Sequence, residues 1–215
     1  MSRFIRLRSL VAVCVLVVVL LLLHASRPRD AEAYFERGNA LVQAGKPTEA
    51  CEQYAKAVEI NPRYAEAYYS WGVALGQMLK SAEACEKYAK AVEINPRYAE
   101  AYYSWGVALG RMRKPAEACE KYAKAAEINP RDVEAYMNWG SKLREMGKPA
   151  AAAEKFARAV EIDPALAGAY CAWGIALAQV GKRAEAEEKW RKAVELKPEL
   201  KPLIEVLRKG PQGKE

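Results

Sequence analysis

The chain has 215 residues and a formal net charge of +7, a length that suits one ordinary domain or a short repeat array. Five of the 34 basic side chains lie in residues 1–29, which contain no acid, so the rest of the chain is nearly neutral and a broad nucleic-acid-binding surface is not expected. The single histidine, His24, lies in the same N-terminal segment, so the remaining residues offer no histidine-based triad or metal site, and we expect no enzyme activity, cofactor or metal.

The N-terminal segment predicts a membrane anchor. Residues 1–8 are basic, and residues 9–25 form an apolar stretch with an unbroken run from Val15 to Leu23. A helix of 17 residues spans roughly 25 Å, slightly less than a hydrocarbon core of about 30 Å. Because neither Leu23 nor His24 is the small residue preferred ahead of a signal-peptidase site, we expect an uncleaved signal-anchor rather than a removed signal peptide.

The charges that flank this stretch predict its orientation. Three arginines precede it, whereas Arg27 and Arg29 follow it with Asp30 close by. The positive-inside bias therefore favours, by a small margin, a cytosolic N-terminus and a single-pass protein whose body is exoplasmic or periplasmic. A cytosol-facing body and a body secreted after signal cleavage are the alternatives. Residues 26–30 are expected to form a short linker.

From residue 31 to residue 200 the sequence repeats every 34 residues, five times without an insertion. Each unit has Tyr at position 4, Gly at position 8, an aromatic residue at position 24 and Pro at position 32. Two stretches of three-and-four apolar spacing in each unit predict two amphipathic helices. A turn joins them, in which Gly45 can adopt the left-handed conformation. The units cover residues 31–64, 65–98, 99–132, 133–166 and 167–200.

Each pair of predicted helices combines small side chains at fixed positions with large aromatic ones. Glycine at position 8 and alanine at positions 20 and 27 let paired helices approach closely, and the aromatic side chains fill the space that this leaves. No unit buries its apolar face alone, so stacking of neighbours must do so.

Both ends of the repeat region fit a finite array. The first unit has Arg37 at position 7, where the other four units have tryptophan, and a charge is expected on a face that no preceding unit covers. Residues 201–209 predict a capping helix in which Leu203, Ile204 and Leu207 cover the last unit. Residues 210–215 are expected to be disordered.

These units resemble the tetratricopeptide repeat (TPR), whose signature is W-x2-L-G-x2-Y, then A-x3-F, then P. The second unit reads Tyr68-x2-Trp71-Gly72-x2-Leu75, then Ala84-x3-Tyr88, and then Pro96. The resemblance implies an all-α fold, a right-handed superhelical solenoid of five helix-turn-helix repeats. It also implies a concave groove that the first helix of each repeat lines.

The resemblance implies that a protein partner contacts the first helices, usually at positions 2, 5, 6, 9, 12 and 13. Most side chains at positions 5 and 9 are aromatic or apolar, and glutamates at position 2 rim them in the first four repeats. That lining suits an amphipathic helix or an extended peptide with apolar anchors. The alternative is that these side chains only pack against neighbouring first helices. The candidate peptide-binding residues are Phe35, Asn39, Tyr69, Val73, Tyr103, Val107, Met137 and Ser141.

Chaperone-binding members of the resembled family hold a partner's C-terminal carboxylate with lysine, asparagine and arginine side chains. Only Asn39 agrees at the matching positions, and Glu100 has the wrong sign, so that role is not expected. The matching positions are Phe35, Asn39, Ser70, Glu100 and Ser104.

Three cysteines, Cys51, Cys85 and Cys119, share position 21 of successive repeats. Packed helices lie about 8–10 Å apart, whereas a disulfide usually needs Cα atoms within about 7 Å. The pattern therefore favours small buried side chains over a redox ladder or a metal site.

Two functions remain open at this point. The favoured one is a membrane-tethered scaffold that binds a peptide segment of a protein partner in its groove. The alternative is a structural protein that forms homo-oligomers, because near-identical repeats can stack or swap between chains.

Overall fold

The computed structural model describes residues 29–209, and all regular structure in that range is helical. The chain divides into two compact units, of which the first ends at Asn95 and the second begins at Pro96. The first unit contains α1 (residues 29–43), α2 (Pro47–Ile60), α3 (Ala65–Gln77) and α4 (Ser81–Ile94). The second contains α5 (Ala99–Arg111), α6 (Pro115–Ile128), α7 (Val133–Glu145), α8 (Pro149–Ile162), α9 (Ala167–Gln179), α10 (Arg183–Leu196) and α11 (Lys201–Lys209). Each predicted repeat is therefore one pair of helices.

The first helix of a repeat ends in a left-handed residue. Gly45 has φ +72°; its N–H donates to the Val42 carbonyl (3.0 Å), and the next N–H donates to the Leu41 carbonyl (2.9 Å). This pair of bonds satisfies carbonyls that the helix end leaves open. The prediction for Gly45 is confirmed. Two repeats reach the same conformation without glycine, through Leu79 (φ 60°) and Arg113 (φ 57°).

A glycine–aromatic contact between positions 8 and 24 joins the two helices of every repeat. A Cβ atom on Gly72 would lie 2.6 Å from Cε1 of Tyr88, and one on Gly174 would lie 2.4 Å from Nε1 of Trp190. Because neither distance leaves room for a methyl group, only glycine allows this approach. The pairs are Gly38–Tyr54, Gly72–Tyr88, Gly106–Tyr122, Gly140–Phe156 and Gly174–Trp190.

The tryptophan at position 7 is covered by a lysine from the second helix of its own repeat. In repeat 2, Lys87 Nζ lies 4.0 Å from the ring centroid of Trp71. The corresponding lysine–tryptophan distances in repeats 3, 4 and 5 are 4.1–4.3 Å. Trp71 also packs against the cluster that contains Val58 of the preceding repeat. The first repeat has Arg37 and Gln53 at the two positions, so the tryptophan and its lysine are absent together from the repeat that starts the array.

Helix α11 covers the last repeat with fewer residues than the sequence predicts. Ile204 is buried in the cluster that contains Trp190, and Leu207 packs against that cluster. Leu203 is 49% exposed, and Val206 is 65% exposed. The prediction for Leu203 is wrong because adjacent residues of a helix point about 100° apart, and Ile204 takes the inward direction.

The sequence-based localisation as a single-pass membrane protein is wrong for the part of the chain that the structure describes. Within residues 29–209, no helix is long and apolar enough to cross a membrane. The paired helices have 13 to 15 residues, so each spans only about 20–23 Å against a hydrocarbon core of about 30 Å. The predicted anchor (residues 9–25), the basic segment (residues 1–8) and the tail (residues 210–215) lie outside the described residues.

The glycine–aromatic contact predicts opposite effects for two glycines of α9. Gly174→Ala should lower the free energy of unfolding by about 1–3 kcal/mol, because the new methyl group overlaps the Trp190 indole. Gly168→Ala meets no atom within 4 Å and should raise it by up to about 1 kcal/mol through helix propensity. Urea denaturation and amide hydrogen exchange of α9 and α10 measure both. Equal effects of the two substitutions would contradict the steric account.

The left-handed turns predict a stabilising substitution. Leu79→Gly should raise the free energy of unfolding by roughly 0.5–1 kcal/mol, because glycine adopts this φ without the Cβ penalty and Leu79 is 78% exposed. Gly45→Leu is the reverse change in the neighbouring repeat and should destabilise by a similar amount. Thermal and urea unfolding followed by circular dichroism would test the pair, and a loss of stability in Leu79→Gly would refute the prediction.

Candidate functional site

Three of the four candidate residues of the first unit meet at a surface pocket between α1 and α3, here called the α1–α3 pocket. It has a volume of about 360 Å³. Three predicted residues, Asn39, Tyr69 and Val73, line it. Five other lining residues were not among the predicted ones: Glu36, Val42, Gln43, Tyr54 and Ser70.

Phe35, the fourth candidate of this unit, has a different role. It does not line the α1–α3 pocket, and its ring centroid lies 6.0 Å from that of Tyr54 and 5.0 Å from that of Tyr64. It packs against the buried cluster of Ala50, Tyr54 and Ala74. Phe35 therefore contacts Tyr54, which lines the pocket, and packs among buried residues without lining the pocket itself.

One hydrogen bond fixes the polar side of the pocket. The Tyr54 hydroxyl donates to Asn39 Oδ1 at 2.9 Å. Tyr54 is 1% exposed as a residue, and burial raises its pKa to about 12. The same ring forms the glycine–aromatic contact with Gly38, so the core of the first repeat holds Asn39 in a defined orientation at the pocket.

The pocket residues outside the candidate list come from two patterns. Glu36 and Ser70 occupy position 6, and Val42 and Gln43 occupy positions 12 and 13, which the resemblance already implies as contact positions. Tyr54 occupies position 24, whose constant aromatic character indicates a core residue. The position of Tyr54 at both the core and the pocket depends on how α1, α2 and α3 pack, and no spacing in the sequence encodes it.

Carboxylates surround this part of the first unit. Glu36 lines the pocket, and Glu32 and Glu66 are exposed on the first turns of their helices. Burial raises the pKa of Tyr64, and the charges of Glu32, Glu66 and Glu36 raise it further. The local potential is therefore negative, which favours a cationic partner over an anionic one.

In the second unit, Tyr103 forms the corresponding surface with Asn138. The Asn138 amide donates to the Tyr103 hydroxyl at 2.9 Å, which links α5 and α7. The Tyr103 ring centroid lies 5.9 Å from that of Tyr122. Burial, followed by the nearby Glu134 carboxylate, raises the pKa of Tyr103 to about 12.

The other candidates of the second unit are partly engaged within the unit itself. Met137 packs against the buried cluster around Phe156, and the Ser141 hydroxyl donates to the Met137 carbonyl at 2.9 Å. Val107 is half-buried on α5. The space beside Gly110 is narrowed by Lys142, whose Cε would lie 3.2 Å from a Cβ at this glycine.

Two of the position-21 cysteines, Cys51 and Cys119, show no sign of activation. Cys51 and Cys119 are half-buried, and desolvation is the largest of the effects that raise their pKa values. A raised pKa keeps a thiol protonated and weakly nucleophilic at neutral pH. No group of three or more His, Cys, Asp or Glu residues that could hold a metal ion occurs within residues 29–209.

The antiparallel helix pairs with their glycine–aromatic contacts make this a helical repeat protein. Comparison with known proteins identifies the type of repeat. Residues 38–78 match the family model described as TPR repeat, and residues 99–132 match the model described as tetratricopeptide repeat. The predicted tetratricopeptide repeats are therefore confirmed for these residues. A comparison with curated proteins finds no significant match.

Solved structures with this fold resemble the chain over most of its length. YrrB, a TPR protein with an unusual peptide-binding site, is 29% identical with a TM-score of 0.70, and the match covers 79% of this chain and 87% of that one. A MamA protein is 25% identical with a TM-score of 0.74, and the match covers 80% and 94%. PilF of Pseudomonas aeruginosa, at 23% identity and a TM-score of 0.66 over 79% and 78%, shows the fold alone.

The raised pKa of Tyr54 predicts how stability depends on pH. The folded protein keeps the phenolic proton up to about pH 12, whereas the unfolded chain loses it near pH 10. The stabilisation that the protonated Tyr54 hydroxyl provides is therefore complete below pH 10. The free energy of unfolding then falls as the pH rises from 10 towards 12.

Tyr54→Phe tests this dependence. The variant loses the hydrogen bond to Asn39 at every pH, but its stability should fall less steeply above pH 10 than that of the wild type. Urea unfolding at a series of pH values measures the slope. An unchanged slope would show that Tyr54 does not titrate as its burial implies.

Proposed function

We propose that the chain is a protein–protein interaction scaffold that binds a helical or extended peptide segment of a partner along its first helices. Tetratricopeptide repeats suit such a role because their first helices present a row of side chains on one face. The peptide-binding site in YrrB supports the proposal by likeness of fold, and the residues that bind the peptide here are argued from this chain alone.

The observation that carries the proposal is the α1–α3 pocket. Its volume of about 360 Å³ lies near the lower end of the range of about 300–1,000 Å³ that is typical of ligand pockets. Tyr69 and Val73 give it apolar walls, while Asn39 and Ser70 supply polar groups. A pocket of this size and lining suits one or two apolar anchor side chains of a peptide better than a large substrate.

The acidic groups near the pocket indicate which residues of the peptide should flank its apolar anchor. Glu36 lines the pocket, and Glu32 and Glu66 lie near Tyr64, whose ring packs against Phe35. A lysine or arginine beside the apolar anchor would meet these carboxylates, whereas an acidic peptide would be repelled. The preferred ligand is therefore a peptide with an apolar anchor next to basic residues.

The surface around Tyr103 supports a second contact of the same kind in the second unit. Its ring rests on Tyr122, and its hydroxyl is held by Asn138 beside Glu134. An aromatic side chain that is held in one orientation loses little conformational entropy on binding, which is why such residues recur in binding sites.

The pocket predicts the effect of removing its apolar walls. Peptides would be selected on the wild-type protein from a displayed library, and the best binder would be titrated by fluorescence anisotropy. Tyr69→Ala combined with Val73→Ala should weaken binding at least about tenfold, since the loss of buried anchors costs 1–3 kcal/mol. Glu36→Gln should weaken binding of basic peptides selectively and reduce its salt dependence.

Two controls make this test decisive. Leu79→Ala changes an apolar side chain that is 78% exposed and does not line the pocket, so peptide affinity should not change. Far-UV circular dichroism should show that the double variant keeps its helicity. Loss of fold would assign Tyr69 and Val73 to the core, and unchanged affinity in a folded double variant would place the peptide elsewhere.

A further inference from the structure

A second surface pocket lies in the second unit between α8 and α9, at the junction of repeats 4 and 5. This α8–α9 pocket has a volume of about 330 Å³. Ala153, Trp173, Leu177 and Val180 form its apolar wall, and the wall includes no candidate peptide-binding residue. It is therefore a separate surface from the one that the proposed function uses.

The pocket arises from small side chains at three positions of the repeat. At the junction of repeats 1 and 2 the same positions carry Thr48, Cys51 and Met78, and Thr48 Oγ1 approaches Met78 Sδ at 3.8 Å. At the junction of repeats 4 and 5 they carry Ala150, Ala153 and Val180. Each of these side chains is smaller than its counterpart at the junction of repeats 1 and 2. The side of Trp173 that faces this junction is therefore accessible from the pocket.

The outer face of α11 presents an apolar surface in the same unit. Leu203 and Val206 are 49% and 65% exposed, and their spacing of three residues places them on one face of the helix. Within residues 29–209, the exposed large hydrophobic side chains are Leu79, Val180, Leu203 and Val206. Three of these four belong to the α8–α9 pocket or to the outer face of α11.

The charges of the two surfaces are complementary. Helix α11 carries Lys201, Arg208, Lys209 and Glu205. Arg208 is already paired with Glu187 of α10 at 2.8 Å, so Lys201 and Lys209 against Glu205 leave the helix with one excess positive charge. The pocket is lined by two carboxylates and one ammonium group: Glu154, Glu185 and Lys182. Lys182 forms an ion pair with Glu185 at 3.1 Å, which leaves the exposed Glu154 as the excess negative charge.

We propose that the α8–α9 pocket binds the outer face of α11 from a second copy of this chain. Leu203 or Val206 enters the pocket beside Trp173, and the basic ends of α11 lie near Glu154. In the proposed dimer a twofold axis relates the two copies, so each contact occurs twice and the assembly closes. Contacts of this small size give a dimer that dissociates over the micromolar range.

Sedimentation equilibrium of the full chain under reducing conditions, over a range of concentrations, tests this dimer. The pocket variant is Ala153→Cys with Val180→Met, which installs the residues that the chain itself carries at the equivalent positions of the first junction. The face variant is Leu203→Ser with Val206→Ser, at exposed positions. Each should weaken dimerisation at least tenfold without loss of helicity, while the control Leu79→Ser should not change it.

A mixture of the two variants distinguishes this dimer from other self-association. In a twofold dimer, the pocket variant still offers an intact α11 and the face variant still offers an intact pocket. The mixture should therefore recover one of the two contacts and form a heterodimer more readily than either variant forms a homodimer. A monomeric wild type, a dimer that resists either variant, or a mixture that recovers nothing would overturn the proposal, whatever the peptide-binding experiment shows.

Discussion

The structure depends on the steric contact between a glycine on the first helix and an aromatic ring on the second helix of each repeat. A Cβ atom at any of the five glycines would lie 2.4–2.8 Å from the nearest ring atom, so the helices approach as closely as backbone and ring allow. The aromatic side chains named in that contact include the largest fully buried ones, Trp190, Tyr54, Tyr122 and Phe156. In a repeat array each helix pair stabilises mainly its neighbours. The glycine–aromatic contact therefore fixes the geometry of the helix pair from which both compact units are built.

The same rings connect stability with binding. Tyr54 packs against Gly38 and also orients Asn39 at the α1–α3 pocket. Tyr103 in turn rests beside the buried Tyr122 at 5.9 Å. A partner that contacts Tyr69 or Tyr103 therefore meets side chains that the core already holds in place, and little conformational entropy remains to be lost on binding. Position 5 has two structural roles in the first unit: Phe35 packs against buried residues, while Tyr69 lines the pocket.

The shape and charge of each surface depend on residues that differ between repeats and not on the positions that the repeats share. The Lys–Trp pair recurs in four repeats and is replaced by Arg37 and Gln53 in the first. Lys142 narrows the space beside Gly110, and Ala153 with Val180 opens the α8–α9 pocket. Because the backbone is repeated, such substitutions change volume and charge locally without changing the fold, and each can be tested by transferring a residue from one repeat to another.

The sequence by itself determined the five repeats, their paired helices, the left-handed turn at Gly45 and the close approach at position 8, because a strict period fixes local geometry and nearest-neighbour packing. It also placed Asn39, Tyr69 and Val73 on one side of the first helices. Only the tertiary structure decided that Phe35 packs against Tyr54 instead of lining the pocket, that Tyr54 lines it, and that Leu203 faces outward while Ile204 is buried. These outcomes depend on the rotation of each helix about its axis and on the volumes of side chains from three helices at once, which periodicity along one chain does not specify.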